Sequence, residues 1–195
     1  MKILKNWKKF NERLSEETLK RAEDKAREYG DEETADKFKK HNYMTQNKEN
    51  NITLYNPIKA KKEEYVIDGG DLGTSFDMWR DDKDVDDTII NLPFFFKNIN
   101  EERIDMWISF KENGLKFDGV NFTDEDGENI NLLFPTQDAK KAIKNFRQMI
   151  KEGIDELSRR PTHHPLQSED IGIFTEYLKE ISSKLNYRML PLLRK

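Results

Sequence analysis

Between Ile104 and Lys111 the chain alternates strictly. Ile104, Met106, Ile108 and Phe110 are apolar, and Asp105, Trp107, Ser109 and Lys111 fall between them. A period of two sends one set to a core and the other to the opposite face of a strand. Asn113-Gly114 follows, a pair that readily takes the positive φ angles of a type I′ turn, so a hairpin is predicted. Counting outward from that turn sets Phe110 opposite Phe117 on the core face and Lys111 opposite Lys116 on the other. Two lysines face each other only where water screens them, so the second face is wet. A chain with this hairpin is committed to an antiparallel sheet.

The neighbouring stretches extend the sheet. The alternation slips at Asp118-Gly119, which predicts a bulge or bend. Asp124 to Glu128, with Gly127, reads as a turn, and Ile130, Leu132 and Phe134 as a further strand. Ile89 to Phe96 is another strand, with Pro93 placing it at an edge or bending it. From Thr136, taken as a cap, the period changes to that of a helix: Ala139, Ala142, Ile143, Phe146, Met149, Ile150, Ile154 and Leu157 form one stripe that must lie against the sheet. Ser168 is expected to cap a final helix carrying Ile171, Phe174, Leu178, Ile181 and Leu185. The apolar tail Met189 to Leu193 is expected to dock on the core. The fold class is therefore α+β: a mostly antiparallel sheet of about four to six strands, a long helix over 136–158 on one face, and a second C-terminal helix over 168–185.

Upstream, Ile3, Trp7, Phe10 and Leu14 predict a first amphipathic helix. Ser15 is the expected cap of a second, stopped by Gly30, and Asp31 that of a third. Residues 1–43 form a helical subdomain on this reading, 44–62 a polar linker with a short strand at Ile52–Tyr55, and 63–195 the α+β domain. The helices meeting at Gly30 carry too many acids for a DNA-reading helix pair, which needs a cleaner basic face.

Composition narrows the function classes. The 195 residues include no cysteine, which excludes disulfides and thiolate metal sites and makes a reducing cytoplasm the expected home. No apolar run approaches membrane-spanning length, and the first residues lack the apolar core of a secretory signal. The net charge of −4 hides a segregation: residues 1–62 carry +5, 63–135 carry −13 and 136–195 carry +4. An acidic sheet thus lies between basic helical regions.

Catalytic motifs are sparse. Asp68, Asp71, Asp81 and Lys83 fit a two-carboxylate-plus-lysine nuclease or phosphodiesterase, in which the acids hold Mg²⁺ and the lysine meets phosphate. The loop Asp68 to Gly73 reads more simply as a turn between strands, and its glycines are not expected to lead into a helix. Asp82, Asp84 and Asp86 start like a calcium loop, but Asp87 replaces the required glycine and Pro93 the closing acid. His163 and His164 are adjacent and would point apart on a regular element, so joint metal ligation is disfavoured. No metal and no cofactor is expected.

The exposed acids of the sheet remain. Asp105, Asp118, Asp124, Glu125, Asp126 and Glu128, with Trp107 among them, form the expected partner-binding set, because acids around an aromatic attract and hold a basic protein. The leading expectation is a non-enzymatic binding or inhibitor-type protein, of the kind phages and bacteria encode, which occupies a basic groove such as a nucleic-acid-binding one. Direct nucleic-acid binding through Lys5, Lys8, Lys9, Lys39, Lys40 and Lys59 to Lys62 is the further alternative.

Overall fold

The computed structural model describes residues 16–46, 49–161 and 163–194. The chain divides into two compact units, Met1–Asn51 and Ile52–Lys195. In the first, helix α1 (Glu16–Glu28) and helix α2 (Glu32–Gln46) form a hairpin over Leu19, Ala26 and Ala35. Gly30, at φ 73°, ends α1 as expected. Asp31 caps α2 by accepting the Thr34 N–H at 3.1 Å. Arg27 ties the two helices together through Glu23, Glu32 and Asp36. The helix expected over Ile3 to Leu14, and the Ser15 cap, lie outside the described residues.

In the second unit six strands run in sequence order: β1 (Asn51–Asn56), β2 (Lys61–Gly70), β3 (Ile89–Lys97), β4 (Arg103–Lys111), β5 (Lys116–Thr123) and β6 (Asn129–Ile130). The alternating apolar residues of β3 and β4 face each other across the ladder as Ile90 with Phe110, Leu92 with Ile108, Phe94 with Met106 and Phe96 with Ile104. All eight are buried. The sheet curls until Tyr55 meets Leu133, where each backbone N–H donates to the other's carbonyl at 2.8 and 2.9 Å.

The central hairpin keeps its expected register, Phe110 with Phe117 and Lys111 with Lys116, and the bulge falls at Asp118. Its turn is different. Four residues, Glu112 to Leu115, make the connection, and the positive φ angles are at Gly114 (73°) and Leu115 (44°), so it is not a type I′ turn at Asn113-Gly114. Leu115 is 5% exposed, and burying it offsets that unusual backbone. Phe117 stands edge-on to buried Phe110 at 5.8 Å, on the expected face, but it lies at the margin of the core and is 39% exposed.

The Asp68–Gly73 segment is not a turn between strands. β2 continues to Gly70, and helix α3 (Leu72–Asp82) starts at once, with Asp71 as its cap. β2 leaves β3 at Phe94, and α3 takes the vacated place beside the first half of β3. There the Ser75 hydroxyl donates to the Asn91 carbonyl. Pro93, lacking an N–H, sits just beyond the last β2 pair, where no ladder bond is required.

Helix α4 (Thr136–Leu157) lies on the inner face of the sheet, its Phe146 ring stacked on Phe94 at 4.1 Å. Pro135, rather than Thr136, holds the cap position. Helix α5 (Pro165–Lys184) begins three residues before the expected Ser168, because Pro165 suits a first turn and His164 Nδ1 accepts the Leu166 N–H. Phe76 and Trp79 of α3 meet Phe174 of α5 at 5.5 and 5.2 Å, and Tyr177 stands edge-on to Trp79. The final strand is shorter than expected: only Asn129 and Ile130 pair with β5, while Phe134 bridges Leu192 of the tail. The tail docks, with Leu190 buried and the Leu193 N–H donating to Phe134. No helix among the described residues is long and apolar enough to cross a membrane.

Candidate functional site

The outer face of the sheet is built from the residues that alternate with the core set. β3 contributes Ile89, Asn91, Pro93, Phe95 and Lys97, and β4 contributes Arg103, Asp105, Trp107, Ser109 and Lys111. Trp107 stands at the centre. Pro93 lies opposite it on β3 and Asn121 opposite it on β5. Trp107 and Phe95 are half-buried, and neither belongs to the hydrophobic core, which the helices of this unit close on the other side. A large aromatic so placed presents apolar area and one polar N–H to whatever meets the face.

One end of this face, where β4 starts, is crowded with charge. The Arg103 guanidinium stacks on the Phe95 ring at 3.8 Å and holds both Asp105 oxygens, at 2.6 and 3.0 Å. Asp105, then Asp68 and Glu125, push the Arg103 pKa above its ordinary value. Lys97 binds Asp68 at 3.0 Å and reaches Glu101 at 4.0 Å. Two cations therefore sit among Asp68, Glu101, Asp105 and the acids of the 124–128 turn, and the surplus is negative.

The acids named from sequence have different jobs. Asp105 is neutralised by Arg103. Glu125 accepts the Arg103 backbone N–H at 2.6 Å, which fastens the β5–β6 turn to β4. Asp124 builds that turn, accepting the N–H groups of Asp126 and Glu128 at 3.1 and 2.9 Å. Asp126 and Glu128 are exposed and make no side-chain ion pair among the described residues. Asp118 is the exposed bulge residue, its charge felt by Lys111. The sequence marks Pro93 only as an edge or bend in its strand and does not single out Phe95, Arg103 and Asn121, although the β3–β4 alternation already puts Phe95 and Arg103 on one face.

The quartet proposed for nuclease chemistry does not converge. Asp68 is taken by Lys97, Asp81 by Arg80 and Lys83 by Asp170. Asp71 and Asp81 lie at opposite ends of α3, about 15 Å apart at 1.5 Å per residue, and so cannot share a metal ion with ~2.1 Å bonds. Asp71 is committed to the cap: Thr74 donates its N–H at 3.0 Å and its hydroxyl at 2.7 Å, which holds the carboxyl below its ordinary pKa. No set of three or more acids, histidines or cysteines could hold a metal ion among the described residues. His164 is occupied as the α5 cap. Of the lysines named for nucleic acid, Lys5, Lys8 and Lys9 lie outside the described residues, Lys39 and Lys59 are exposed, and Lys61 pairs with Glu63.

Compared with known proteins, the chain matches no family model, no curated protein and no solved structure.

Proposed function

We propose that this is a non-enzymatic binding protein whose outer sheet face engages a basic protein partner. The observation that carries the reading is the position of Trp107, half-buried outside the core and beside an end of the sheet where acids outnumber Lys97 and Arg103. The aromatic supplies desolvated contact area, and the acids steer and orient a cationic partner. Filling a groove that the partner uses for an anionic ligand is the form of action such a surface supports.

The test separates binding from structure by using residues outside the hydrophobic core. The full chain, Trp107→Ala and the pair Asp126→Lys/Glu128→Lys are used as baits in lysate of the source cell, at low and moderate salt. A stoichiometric basic partner held by the parent and lost by both variants is the expected result. A partner that both variants retain in full would sink the reading, and so would one that is not basic.

A further inference from the structure

Helix α5 has more apolar surface than its packing uses. Phe174, Leu178 and Ile181 are buried in the core, yet Leu166 and Ile173 stand 62% and 40% exposed. Seven residues apart, these two share one side of the helix. Asp170 lies between them and binds Lys83 at 2.8 Å, which ties this side of the helix to the end of α3; Val85, two residues further on, is 61% exposed. Neighbouring exposed apolar residues on one side of a helix, rimmed by charge, make the kind of surface a partner covers.

The surroundings say what kind of cover fits. Residues 81–87 hold Asp81, Asp82, Asp84, Asp86 and Asp87 against a single Lys83, and residues 165–176 hold Glu169, Asp170 and Glu176 with no base. Asp81, Asp87, Asp170 and Glu176 are spent on Arg80, Lys111, Lys83 and Lys179. Asp82, Asp84, Asp86 and Glu169 make no ion pair among the described residues. Asp84 and Glu169 nevertheless lie near enough to Lys83 to help raise its pKa, after Asp170, so acids from both segments crowd one place. A second copy of the same surface would bring like charges together, and phosphates of a nucleic acid or of anionic lipid would be repelled.

We propose that Leu166, Ile173 and Val85 form a docking stripe for a cationic amphipathic helix of a partner protein, whose Lys and Arg side chains meet Asp82, Asp84, Asp86 and Glu169. This stripe belongs to the helical layer of the Ile52–Lys195 unit and does not depend on the outer sheet face. Apolar positions on such a helix meet Leu166, Ile173 and Val85, and its cationic positions meet the acids around them.

The test is a titration of the isotopically labelled full chain with a Leu/Lys peptide patterned as an amphipathic helix, followed by amide chemical shifts. A scrambled peptide of the same composition is the control. Saturable shifts confined to residues 81–87 and 166–177 are expected. Leu166→Ser/Ile173→Ser should bind about tenfold more weakly or worse, Asp84→Lys/Glu169→Lys likewise, and Trp107→Ala as the parent does. The assignment is overturned if the shifts lie elsewhere, if the scrambled peptide binds equally, if Leu166→Ser/Ile173→Ser leaves affinity unchanged, or if Trp107→Ala abolishes it.

Discussion

Asp71 shows how one side chain can look like chemistry and serve structure. It accepts the Thr74 N–H, a donor that the first turn of α3 would otherwise leave bare, and the Thr74 hydroxyl adds a second bond. Asp71→Ala should cost about 1 kcal/mol in urea unfolding at pH 7, and Asp71→Asn much less. Because the folded state lowers this carboxyl's pKa, its contribution is complete above about pH 4, the ordinary carboxylate value, and fades as the pH falls through the lower folded value. The difference between Asp71→Asn and the parent should therefore shrink on titrating from pH 5 to pH 2. Gly153 makes a second case. A glycine inside a helix is normally improved by alanine, by about 1 kcal/mol. Here an added Cβ would stand 2.5 Å from Leu72 Cδ1 and 3.1 Å from Leu72 Cβ. Gly153→Ala should lower the melting temperature, and combining it with Leu72→Ala should cost less than the two single changes together.

Consecutive residues of β4 belong to different environments, and thermal unfolding should separate them. Ile108 is fully buried between Leu92 and the helices, so Ile108→Ala should cost about 2–5 kcal/mol. Trp107, one residue earlier, lies outside the core, and Trp107→Ser should cost clearly less while destroying partner binding. This division was legible from the alternation alone, as were the hairpin register, the bulge and the two C-terminal helices, because periodicity records which side faces the core. Helix α3 was not legible. Its eleven residues carry few apolar positions, and its place is fixed by Phe76 and Trp79 meeting Phe174 nearly a hundred residues later. The bound states of Asp105, Asp124 and Glu125 were equally hidden, since a sequence displays charges and not the N–H groups they accept. The acids most available to a partner on the helical layer, Asp82, Asp84, Asp86 and Glu169, were visible only as an aspartate run and a helix start. The Lys83–Asp170 pair brings them together.

At the scale of the whole molecule, the chain from residue 49 onward contains every strand among the described residues and the whole sheet–helix core they form. A fragment beginning at Glu49 should unfold in one cooperative transition, by circular dichroism and tryptophan fluorescence alike. Divergent transitions for the two probes would show that the second unit needs the first. The curled sheet has a consequence for time rather than stability. Tyr55 and Leu133 complete it, and alongside them the Thr53 N–H donates to Asp138 at the start of α4, across 85 positions of sequence. Joining such distant segments requires closing a long loop before the contact returns anything, so this seam of the curled sheet should form last and slowly. Changes at this seam should chiefly accelerate unfolding, whereas changes in the β3–β5 hairpins should chiefly retard folding.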